Sequence, residues 1–212
     1  MQTLFSPDSK FMLAMGRICD LLLLNLFFLI SCVPVVTIGA AVTALYTVCF
    51  RFGTQRERGV LKSYFAAFRD NFRQSTAAWL TLLLCIGTAG LNTLLFYQMS
   101  GPLHYVFPLF ALLFVLALLM AAYVFPLLSQ FTNDTRATFR NALVLSVGYL
   151  PRSLLITVIN VFPFALLLLD LYLFLQTGFL WVALYFSSAA YINSLLLKKV
   201  FAPLDCSCKN GQ

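Results

Sequence analysis

The chain has 212 residues, of which 61% are hydrophobic, 16% aromatic and 10% charged, and its net charge is +7. Soluble domains carry about 25% charged residues, so this composition excludes a water-soluble domain as the main body. The basic excess flanks apolar runs, where it sets orientation and meets anionic lipid head groups, and this excludes a nucleic-acid partner.

Three gaps between basic residues organise the chain. Arg17 to Arg51 encloses 33 residues with Asp20 as the only charge. Arg73 to Arg136 encloses 62, and Arg152 to Lys198 encloses 45 with Asp170 alone. Each gap suits two crossings at about 20 residues per helix. Three excursions place all 14 basic residues on one side, as the positive-inside rule asks. The expected fold is therefore all-α: a polytopic bundle of six transmembrane helices with both termini cytoplasmic. The spans are read at about 14–33, 35–52, 76–98, 104–128, 154–175 and 178–197. They form a single membrane domain over 1–212.

The N-terminus reads as a helix start, with Ser6 as cap, Pro7 in the first turn and Asp8 at the positive dipole end. No A-x-A cleavage site precedes Pro34, so a cleaved signal peptide is not expected. Spans one and two meet at Val33–Gly39, V-P-V-V-T-I-G, with no polar loop between them. Pro34 suits a tight outer hairpin, because it lacks an N–H and disfavours helix in the residue before it. A single long kinked helix is the alternative, and it would strand five basic residues outside. Pro34, Thr37 and Gly39 could shape a ligand pocket, or Thr37 could simply cap the second helix. Gly39, Ala40, Thr43, Ala44 and Thr47 make a small-residue face suited to helix packing, within one chain or in a homo-oligomer.

Residues 60–75 place Leu61, Phe65, Phe68 and Phe72 on one helical face, with Lys62, Arg69 and Arg73 mostly opposite. That is the pattern of a basic amphipathic helix at the lipid bilayer surface or docked on a partner. The loop 129–153 has a related piece, Arg136, Phe139, Arg140, Leu143 and Val147. The two pieces fit a degenerate repeat, or a chance recurrence of short aromatic-basic strings. Asn25, Asn92, Asn160 and Asn193 fall inside spans, where amides face the bundle interior, either lining a solute path or joining helices. Pro163 is expected to kink span five. Residues 206–212, with Cys206 and Cys208, read as a short cytoplasmic tail.

The motifs within residues 25–75 resemble the YesL-like family of bacterial integral membrane proteins. The pattern is Asn25, Pro34, Thr37, Gly39 and Ala44, followed by Phe65, Phe68, Arg69, Asn71, Phe72, Arg73 and Gln74. Ala40 stands where that family often has Pro. The resemblance implies a small accessory protein of the bacterial cell membrane, working beside a sugar-transporter complex in carbohydrate utilisation.

No P-loop, H-E-x-x-H, G-x-S-x-G or G-x-G-x-x-G occurs, and His104 is the only histidine. No cofactor, no metal and no enzymatic activity is expected. The leading functional expectation is a non-enzymatic accessory or regulatory component of carbohydrate uptake. The alternative is a small autonomous transporter or channel for a small polar solute. A transporter should gather Asn25, Asn160 and Asn193 around one water-accessible cavity. An accessory protein should disperse them and leave the Phe face uncovered.

Overall fold

The computed structural model describes residues 10–52, 59–99, 101–131 and 134–209, and every regular element among them is helical. The expected start at Ser6–Asp8 and the basic residues Arg56 and Arg58 lie outside the described residues. Helix α1 runs Lys10–Cys32, and a short 3-10 turn, Val35–Thr37, leads into α2, Ile38–Arg51. Helix α3 runs Val60–Gln98 and α4 runs Phe107–Gln130, joined through the 3-10 turn Pro102–Val106. Gly101, at φ 99°, makes the left-handed step into that turn, a conformation that costs glycine little. Helices α5, Thr135–Gly148, and α6, Leu150–Leu169, follow. The short helices α7, Leu171–Gln176, and α8, Gly178–Leu180, lead through a π turn, Trp181–Tyr185, into α9, Phe186–Lys209.

Five helical stretches are long and apolar enough to cross a membrane: Met15–Cys32, Val60–Gln98, Pro102–Gln130, Leu150–Leu169 and Gly178–Phe201. Their exposed side chains are apolar over long runs, including Leu84, Leu91, Leu94, Leu95, Leu109 and Leu112. In water such a surface would aggregate, whereas lipid covers it at no cost.

The expected second crossing is a different object. Helix α2 has 14 residues and spans about 21 Å, against a hydrocarbon core of about 30 Å. Eleven of its residues are buried, so protein rather than lipid surrounds it. Between α1 and α2 the helix breaks at Val33–Pro34, so the single kinked helix is not formed.

Residues 60–75 are not a separate surface helix. They are the first part of α3, whose 39 residues extend about 58 Å, nearly two hydrocarbon thicknesses. The face that α3 buries is Tyr64, Ala67, Ser75, Ala78, Leu82 and Ala89, in steps of three, four, seven and eight. Helix α4 returns antiparallel along α3, with Phe125 against Trp79 and Phe110 stacked on Phe96 at 5.2 Å between ring centroids. Helix α9 crosses α2 steeply. Its Ser187, Asn193 and Phe201 meet Cys49, Tyr46 and Phe50. Those α9 residues spread over about 21 Å, while their α2 partners lie within about 6 Å. The core wraps α2, joining its Ala44 and Leu45 to Leu24 of α1, Leu82 of α3, Tyr123 of α4 and Leu197 of α9.

Span five was expected to continue to residue 175. The helix instead stops at Leu169, and extended Asp170 caps α7 by accepting from the Tyr172 and Leu173 amides at 3.0 and 3.1 Å. At the C-terminus, helix continues through Cys206 and Cys208 to Lys209.

Candidate functional site

The sequence-derived candidates separate into three places. The first is the turn before α2. Pro34 is exposed, and its carbonyl accepts from the Thr37 amide at 3.0 Å. The Thr37 hydroxyl does not cap α2 as expected. It donates backwards, to the carbonyls of Ser31 at 2.6 Å and Pro34 at 2.7 Å. The physical reason is demand: the last carbonyls of α1 have no intrahelical partner, and lipid offers none. The Trp79 indole N–H supplies the Val35 carbonyl at 2.9 Å. The turn therefore lies beside the middle of α3, its Val33, Pro34, Val35 and Val36 side chains exposed and only its carbonyls served by protein. Gly39 lies against the α3 backbone: a Cβ there would collide with the Ser75 carbonyl and approach the Trp79 Cβ to 2.6 Å. Thr43 continues the contact, its hydroxyl accepting from Ser75 Oγ at 2.9 Å and donating to the Gly39 carbonyl at 2.9 Å. The Pro-x-x-Thr-x-Gly string encodes a close helix crossing, and no described pocket opens on it.

The second place is the bundle interior, where Asn25, Asn160 and Asn193 do different things. Asn25 is fully buried and braces the π turn. Its Nδ2 donates to the Trp181 carbonyl at 3.1 Å, and its Oδ1 accepts from the Ser187 amide at 3.0 Å. A π turn disrupts the i→i−4 ladder, and this one side chain satisfies both a carbonyl before it and an amide after it. Asn160 and Asn193 do meet. Asn193 Nδ2 donates to Asn160 Oδ1 at 3.0 Å and to the Tyr46 hydroxyl at 3.2 Å. Pro163 has no N–H for the Ile159 carbonyl, and the Tyr185 hydroxyl replaces it at 2.7 Å.

The third place is the first part of α3. Phe65 and Phe72 are 49% and 40% exposed, and Arg69 and Arg73 beside them are exposed too. Phe65 meets Phe27 edge-on at 5.5 Å. Phe68 lies between stripe and core, its ring 5.5 Å from that of Phe72 and stacked on Tyr64 at 6.3 Å.

The sequence reading did not anticipate a polar cleft of about 690 Å³ behind that stripe. It opens between the end of α2, residues 66–74 of α3, the end of α4 and the start of α5, and its lining includes Thr47, Arg51, Asp70, Asn71, Gln74 and Asp134. Several side-chain donors there are spent on backbone carbonyls: Thr47 on Thr43, Asn71 on Ala67, Ser129 on Pro126. The signal was available, since Asn71 and Gln74 fall on the face opposite Phe65 and Phe72. A second cleft, about 560 Å³, surrounds His104 at the α3–α4 turn. Among the described residues no group of three or more His, Cys, Asp or Glu could hold a metal ion.

A family model described as "Protein of unknown function, DUF624" matches residues 21–93. The stretch contains Asn25, the Pro34–Gly39 turn and the Phe65–Gln74 motif. No curated protein and no solved structure matches the chain.

Proposed function

We propose that the chain is a non-enzymatic, multi-pass accessory component of a bacterial cell membrane, docking a partner on the first part of α3. The observation that supports this is the stripe Phe65, Arg69, Phe72 and Arg73. It is exposed on a helix about twice as long as one crossing requires. An aromatic-basic stripe suits an apolar partner surface with an acidic rim. The association with carbohydrate uptake follows from the YesL-like resemblance of residues 25–75. Six crossings with cytoplasmic termini follow from the one-sided basic residues, with α2 as a protein-enclosed return leg.

The autonomous-transporter reading asks more of the interior than it offers. Asn25 is committed to the π turn, only Asn160 and Asn193 come together, and neither described cleft reaches any of the three. Reconstituted liposomes separate the two readings by stopped-flow swelling in small neutral polar solutes. The accessory reading predicts swelling no faster than in protein-free vesicles. Solute-driven swelling that Asn160→Leu abolishes would establish the transporter instead.

A further inference from the structure

The asparagine cluster carries an unmet hydrogen-bonding demand. Asn193 is fully buried, and its Oδ1 has no protein partner although both Nδ2 bonds are made. Tyr46 is 4% exposed, and its hydroxyl accepts from Asn193 and lies within hydrogen-bonding reach of Asn160, so its own proton is uncommitted. Asn160, half-buried, accepts from Asn193 and faces the Tyr46 hydroxyl, which leaves a hydrogen of its amide to spare. One turn earlier on the same face of α6, the Thr157 hydroxyl is also buried without a partner. Turning both amides over only moves the problem. Asn193 Oδ1 would then accept from Tyr46 and Asn160, and Asn193 Nδ2 would become the buried orphan. Leaving a buried amide oxygen unpaired forfeits its hydration with nothing in return, so a membrane protein rarely does so.

We propose that Tyr46, Asn160 and Asn193 bind a water molecule at the crossing of α2, α6 and α9. The ligand must donate to Asn193 Oδ1 and accept from Tyr46 or Asn160. A hydroxyl does both at once; an ammonium cannot accept, and a carboxylate or a carbonyl cannot donate. Two to four polar partners is what ordered internal water requires, and this cluster supplies three. Such a site makes the helix crossing a polar joint in an apolar bundle, with Asn160 as its approach.

Radiolytic hydroxyl-radical footprinting of the full chain in nanodiscs tests this, because bound water generates the radical beside its own ligands. Tyr46 should be oxidised several-fold faster than Tyr123, which is equally buried but has its hydroxyl paired with Ser153 at 2.9 Å. Asn193→Leu should bring Tyr46 down to the Tyr123 rate. If that variant does not fold, Asn160→Leu provides the same comparison. Equal rates for Tyr46 and Tyr123 in the unmodified chain, or a Tyr46 rate untouched by both variants, would overturn the proposal.

Discussion

Replacing Gly39 by alanine should destabilise the protein by about 3 kcal/mol, the upper part of the range for overpacking a filled interface. One methyl group is enough because α2 and α3 touch through backbone there. The added Cβ meets the Ser75 carbonyl and stands 2.6 Å from the Trp79 Cβ. Neither obstacle is the end of a flexible side chain that could swing aside. The helices must separate instead, and separation breaks the Ser75–Thr43 hydrogen bond and moves Trp79 off the Val35 carbonyl. Gly87, on the same helix α3, has nothing within 4 Å of an added Cβ. Gly87→Ala should therefore be neutral or stabilising by up to about 1 kcal/mol, from helix propensity alone. Thermal unfolding in detergent compares the two. Equal midpoints would mean that α2 and α3 are not in backbone contact.

The second large effect is expected at Asn25. Asn25→Leu keeps the branching of the side chain but leaves the Trp181 carbonyl and the Ser187 amide without the asparagine as partner, each at about 1–3 kcal/mol when buried. The loss should total about 2–6 kcal/mol, with the π turn opening first. Asn92 is the matched control, because its Nδ2 reaches only the Thr88 carbonyl of its own helix at 2.7 Å. Asn92→Leu should change stability by less than about 0.5 kcal/mol. Hydrogen exchange at Ser187 supplies the local readout. Unchanged protection there in Asn25→Leu would remove Asn25 from this role.

These two sites show what could be read from residues alone. The apolar runs and their basic borders are one-dimensional signals, and most of the long helices lie close to where those signals put them. The break before Ile38 was legible because proline and the missing polar loop are local facts. The length of α3 was not. The amphipathic pattern over 60–75 is real, but nothing between Arg73 and Trp79 forces a helix to end, and none does. The pattern singled out the Phe face as a docking surface but did not say which residues α3 buries instead. In water the large apolar side chains go inside, so Phe65 and Phe72 resemble core. Here the small and polar set, Tyr64, Ala67, Ser75 and Ala78, goes inside, because close backbone approach holds membrane helices together. Helix α5 largely repeats this, burying Thr138, Ala142 and Ser146 along with one large apolar residue, Leu145, while Leu143, Val144 and Val147 stay exposed. The end of span five was misplaced for a different reason: the backbone break that Asp170 caps interrupts the helix without interrupting the apolar run. The Asn25 role could not be read at all, since its partners lie more than 150 positions away and the π turn leaves no local signature.

The account turns on whether the exposed stripe of α3 meets another protein. A photo-crosslinking amino acid placed at Phe65 or at Phe72, in cells that make the chain naturally, asks this directly. The same residue at Leu168, 86% exposed on α6, is the lipid-facing reference. The prediction is one discrete protein adduct shared by positions 65 and 72 and absent at 168, lost when Arg69 and Arg73 are both changed to Glu. Adducts to lipid alone at 65 and 72, indistinguishable from those at 168, would contradict a docking role and leave the stripe as another face of the protein turned toward the bilayer.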